Sequence, residues 1–100
     1  MVVELLKALL NRGEEPRLSF WRDNVGHEID VLSERRTKRH AWECKSGMTF
    51  VSEWTSGLRR WRELAGSRSG GLHLVYGGDE SFTRSGIDVM AWRDVGTRAL

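Results

Sequence analysis

Trp21-Arg22-Asp23-Asn24-Val25-Gly26-His27-Glu28-Ile29-Asp30-Val31-Leu32 is the stretch on which the fold turns. Asn24-Val25-Gly26 is turn chemistry between two periodic runs, so residues 17–23 and 27–33 are expected to form two antiparallel strands. Asp30 lies among β-branched and aliphatic residues, where an uncompensated charge is costly. Glu43-Cys44-Lys45 follows after twelve intervening residues. Two short strands would bring two carboxylates and one ammonium to a single point, and a hard cation on oxygen ligands would account for the buried acid.

Outward from that hairpin, Glu34-Arg35-Arg36-Thr37-Lys38-Arg39 is expected as a charged loop or hairpin tip, with residues 41–46 as a third strand. Period-two alternation places Ala41, Glu43 and Lys45 on one face of that strand and Trp42, Cys44 and Ser46 on the other. Residues 52–65 carry Trp54, Leu58, Trp61 and Leu64 or Ala65 at helical spacing, with Arg59, Arg60, Arg62 and Glu63 outside the stripe. Residues 67–71 then read as a flexible connector, 72–76 as a fourth strand ended by Gly77-Gly78-Asp79, and 87–92 as a fifth. Upstream, Val2, Leu5, Leu6, Leu9 and Leu10 recur at helical spacing with Gly13 as a stop, but no N-cap precedes them. Such a start fits a chain cut from a longer protein. The predicted class is α/β: helix, three-strand meander, crossover helix, then two strands, in one domain over residues 1–100.

Composition narrows the function less than the motifs do. One hundred residues allow a single core. Sixteen Lys and Arg against fourteen Asp and Glu leave a net charge of +2, which permits attraction to nucleic acid without demanding it. The lone cysteine, Cys44, has no internal disulfide partner, and no stretch has the length and apolarity of a membrane span, so a cytoplasmic location and no membrane partner are expected. The absence of a Gly-x-x-x-x-Gly-Lys-Ser/Thr run leaves no P-loop for ATP. Of the five Trp, Trp54 and Trp61 are expected in the core rather than as a base-stacking platform. His27 and His40 flank the acids in sequence but fall into no zinc-type spacing.

In order and spacing, the Phe20-Trp21-Arg22-Asp23, Gly26-His27-Glu28-Ile29-Asp30 and Glu43-Cys44-Lys45-Ser46 runs resemble the PD-(D/E)XK restriction-endonuclease-like superfamily. Within it they look most like the uncharacterised C-terminal domain of a bacterial and archaeal family of AAA-type ATPases, here as a fragment without the ATPase part. The resemblance implies a restriction-endonuclease-like core with an Asp at the end of the second strand and Glu-x-Lys on the third. It makes Asp30 and Glu43 ligands of Mg2+ or Mn2+, with the Cys44 carbonyl as a further ligand. Lys45 would stabilise charge at the phosphate, and Glu4 on the first helix would complete a site that hydrolyses DNA phosphodiester bonds.

Other readings compete. Asp30 and Lys45 would serve equally as a structural ion pair across neighbouring strands, Glu43 on an edge strand would simply face water, and Cys44 would be a small buried hydrophobe. Arg35, Arg36, Lys38 and Arg39 form the best cluster for DNA phosphates, against a solvated hairpin tip. A domain that keeps the fold and loses the chemistry would bind nucleic acid or oligomerise for its ATPase, an exposed helix or sheet edge giving a homodimer. The weakest reading is a small interaction protein with a chance motif.

Overall fold

The computed structural model describes residues 17–35 and 37–94, and the helix expected near residues 2–10 lies outside them, as does Glu4. The described chain is a mixed α/β fold: one α-helix and one mixed sheet of six strands. The strands are β1 (Arg17–Arg22), β2 (Glu28–Arg35), β3 (Lys38–Lys45), β4 (Ser69–Tyr76), β5 (Phe82–Arg84) and β6 (Ile87–Ala91), and the helix, α1, is Ser56–Ala65. They are ordered β1-β2-β3-β4-β6-β5 across the sheet. The first three strands are the expected antiparallel meander, after which α1 crosses over so that β4 runs parallel to β3, and β6 parallel to β4.

Asp23 sets the first turn. Its Oδ1 accepts the Val25 and His27 backbone N–H at 3.0 and 2.8 Å, and its Oδ2 meets His27 Nδ1 at 2.9 Å. An Asx-type clasp of this kind lets a short polar side chain stand in for backbone partners and reverses the chain without a longer loop.

The helical stripe buries as its spacing requires. Leu58 and Trp61, one turn apart, sit in the core with Ile29, Leu32 and Leu74, while Ala65 packs inward and Leu64 stays largely exposed. The expected helix over 52–65 is two pieces, because Ser52–Thr55 winds as a 3-10 turn before α1 begins. Thr55 Oγ1 donates to the Ser52 carbonyl at 2.8 Å, tightening that turn. Gly66, at φ 57°, stops α1 by taking a left-handed conformation that a side chain would strain.

Three boundaries differ from expectation, and one strand was not expected. The charged run 34–39 holds the expected hairpin tip, but the third strand starts at Lys38 rather than residue 41, with Glu34 and Arg35 paired to Arg39 and Lys38. The glycine-rich connector is ordered, with Ser69–Gly71 already in β4 and the Gly71 N–H donated to His40 Nδ1 at 3.0 Å. The last strand ends at Ala91, and Trp92 starts a 3-10 turn. A short β5 went unpredicted and makes a hairpin with β6 through Ser85-Gly86, both at positive φ.

Among the described residues no helix is long and apolar enough to cross a membrane.

Candidate functional site

β3 and β4 end at Lys45 and Tyr76, which lie side by side, and Ala91 of β6 lies beside Tyr76. Parallel strands thus finish together, and α1 starts at this end of the sheet. Ligands in open α/β sheets bind at the carboxyl ends of strands, where chain reversals leave room for side chains. A cavity of about 420 Å³ opens here, and Asp30, Glu43, Cys44 and Lys45 all line it.

Asp30 joins this group through its register with β3, next to a β-bulge in β2. From Ser19 to Trp21 the chain advances two residues along β1, while the paired stretch of β2, Ile29 to Leu32, advances three. The extra residue turns both Ile29 and Leu32 into the core, although strict alternation would send them to opposite faces. Along β2 and β3, Leu32 pairs with Ala41 and Val31 with Trp42. One step further in the same register Asp30 comes beside Glu43, and Asp30 Oδ2 accepts the Cys44 backbone N–H at 2.8 Å. Asp30 is the third residue of β2, near its start rather than its end.

Glu43 is 7% exposed on an interior strand, which overturns the expectation of an edge residue facing water. Burial pushes its carboxyl up to about 9, and the Asp30 carboxyl beside it, by hydrogen bonding and by charge, pushes the same way. The Lys45 ammonium and the Cys44 N–H act in the opposite sense. The ion pair expected between Asp30 and Lys45 gives way to the bond with the Cys44 N–H.

The start of α1 closes the cavity. A methyl group on Gly57 would lie 2.9 Å from the Glu28 carbonyl and 3.6 Å from Glu43 Oε2, so only glycine lets the helix come this near to β2. The first turn of a helix carries unsatisfied N–H groups and partial positive charge, which favours a carboxylate close by.

Cys44 is half-buried, and burial, followed by the charges of Asp30 and Glu43, pushes its thiol up to about 12. A thiol so placed stays protonated at neutral pH and is no nucleophile.

Sequence reasoning missed Glu53, which lines the cavity from the 3-10 turn before α1. Its spacing from the motif carried no signal, since the turn rather than the strands positions it. His27 lines the cavity as well, from the turn that Asp23 clasps.

The basic cluster is not part of this group. Lys38, whose ammonium donates to the Ser67 carbonyl, and Arg39 begin the strand that Lys45 ends. At ~3.3 Å per residue along a strand, Lys38 lies roughly 17 Å from Glu43. The Arg35 side chain and all of Arg36 lie outside what the structure describes.

Among the described residues no three His, Cys, Asp or Glu side chains gather into a metal-binding group. The carboxyls of Asp30 and Glu43 still make a two-acid niche beside a cavity wide enough for water. That niche fits magnesium, which keeps several waters and needs only one or two carboxylates.

A family model described as a domain of unknown function, DUF4143, matches residues 1–95. The chain belongs to DUF4143. The match takes in the acid pair, the crossover helix and the final strand of this DUF4143 domain. No curated protein and no solved structure matches the chain.

Proposed function

We infer that this DUF4143 domain is a metal-dependent nuclease-like domain with a restriction-endonuclease-like core, hydrolysing phosphodiester bonds in DNA and associated with an AAA-type ATPase. The observation that carries the reading is the meeting of Asp30, Glu43 and Lys45 in one cavity at the carboxyl ends of parallel strands.

Asp30 and Glu43 would hold magnesium or manganese, with the Cys44 carbonyl as a neighbouring oxygen. The ion supplies Lewis acidity for attack by water on phosphorus. Asp30 is oriented by the Cys44 N–H, so its carboxylate needs little rearrangement to act as a ligand. Lys45 brings a positive charge to the same cavity, where charge develops on a phosphate as the bond breaks. Glu43 is held against the first turn of α1, and its proton must leave before it ligates, so binding of the ion releases a proton.

The test is cleavage of plasmid and single-stranded DNA with magnesium or manganese by the parent protein and by Asp30→Asn, Glu43→Gln and Lys45→Ala. Each substitution is expected to reduce the rate on the order of a hundredfold. Equal cutting by all four proteins would trace the activity to a contaminant and end the nuclease reading.

A second reading is favoured by the two-acid niche, to which the described residues add no third ligand. In it the domain keeps the fold as a nucleic-acid-binding or oligomerisation module. It predicts salt-sensitive DNA binding, weakened by neutralising Arg35, Arg36, Lys38 and Arg39, without cleavage.

A further inference from the structure

A second cavity, of about 920 Å³, opens on the same end of the sheet. Phe50 and Phe82 meet edge-to-face at 5.2 Å within its wall. The Arg84 guanidinium carbon lies over them, 5.1 Å from the centre of the Phe50 ring and 5.4 Å from that of Phe82. Nothing in the acid site uses this platform. All three groups line the cavity, Arg84 is exposed, and both rings are only partly buried.

The platform adjoins the acid site. Trp54 lines the acid cavity and stands edge-on to Phe50 at 6.2 Å and to Tyr76 at 6.5 Å, both of which line the larger one. Tyr76 lies beside Lys45 across the β3–β4 pair. The loop that carries Met48 and Phe50 is pinned to the end of β4 by the Gly77 N–H, donated to the Gly47 carbonyl at 3.0 Å.

We propose that the Phe50, Phe82 and Arg84 platform is a base-stacking subsite that takes an unpaired nucleobase of a single strand whose backbone crosses the acid cavity. This deepens the nuclease reading and rests on it for the placement of the backbone. Guanidinium and aromatic faces both stack on bases, and every base offers such a face, so the subsite needs no sequence preference. A base in duplex is stacked on its neighbours and unavailable, so the substrate class is single-stranded nucleic acid or a frayed end.

The charges on the wall suit a base better than a phosphate. Asp79 is paired with Arg93, and the Glu80 backbone is tied to the Tyr76 hydroxyl, which donates to the Glu80 carbonyl at 2.9 Å. Carboxylate oxygens such as those of Asp79 and Glu80 accept hydrogen bonds from base amino and imino groups, which a phosphate does not offer.

The experiment is fluorescence anisotropy in EDTA with a dye-labelled oligothymidylate and an abasic strand of the same length and label, which carries the phosphates without the bases. Circular dichroism checks the fold of each variant. The expected result is affinity for oligothymidylate about tenfold above that for the abasic strand. Phe50→Leu, which keeps the apolar volume, and Arg84→Lys, which keeps the charge, should both erase that difference.

Equal affinity for the two strands, or no binding of either, would overturn the subsite, as would a difference that survives both substitutions in folded protein. Failure of the nuclease reading looks different: the parent protein would cut no DNA while the preference for bases over abasic sugar persisted.

Discussion

Replacing Glu43 by Gln removes a titrating group and leaves a side chain of nearly the same shape. In metal-free buffer the buried Glu43 carboxyl, raised to about 9, keeps its proton to higher pH than the ordinary carboxyl of the unfolded chain at 4.5. The stability that the neutral form contributes is fully present below about pH 4.5 and is lost as pH rises toward 9, since over that window the unfolded chain has released a proton that the fold retains. A full proton gives a slope of ~1.4 kcal/mol per pH unit, or ~4 kcal/mol from about pH 5.5 to about pH 8.5. Discounting that figure by about half for solvent screening leaves ~2 kcal/mol. In a domain of this size that is roughly 10 °C in Tm. Thermal unfolding with EDTA at several pH values should therefore show the parent protein losing that much more than Glu43→Gln on going alkaline. Parallel pH profiles for the two proteins would refute the buried, proton-holding niche.

His73 gives the opposite limb. It stacks on Trp42 at 4.0 Å, and burial lowers it to about 4, so its contribution is present above about pH 6.5 and is lost as pH falls toward 4. His73→Phe, which keeps a ring on Trp42, should therefore be less acid-sensitive by ~2 kcal/mol in urea titrations at about pH 4.5 relative to neutrality, and an unchanged acid limb would count against a neutral buried imidazole. Gly57→Ala forces a methyl group against the Glu28 carbonyl at 2.9 Å. Overpacking of ~2 kcal/mol less up to ~1 kcal/mol of helix preference should leave a net loss of ~1 kcal/mol in urea unfolding, and a stabilised variant would contradict the close approach of α1 to β2.

The elements most legible in the sequence were those set by local pattern: the Asn24-Val25-Gly26 turn, the Leu58 and Trp61 stripe, and the alternation that aims Glu43 and Lys45 to one side. The bulge beside Asp30 was harder to read. Ile29 and Leu32 share the core only through an extra residue in β2, and alternation has no symbol for that. The hairpin at Ser85-Gly86 carried a turn signal, but three residues of β5 are too few to show a period. Charge at residues 34–39 marked the hairpin tip but not how far the strands run into it, since Glu34 and Arg35 still pair with Arg39 and Lys38. Glycine misled at 67–71, since Gly70 and Gly71 are strand residues packed beside His40. The Phe50, Phe82 and Arg84 platform comes together only in three dimensions, from segments about thirty residues apart, and Glu53 enters the acid cavity from a turn outside the strands.

Calorimetric titration of manganese into the metal-free domain tests the acid pair most directly. One ion per chain should bind with proton release, so that the measured heat changes with the ionisation enthalpy of the buffer, and both Asp30→Asn and Glu43→Gln should abolish the binding. No heat of binding to the parent protein, or equal binding by all three, would contradict a cation site between Asp30 and Glu43.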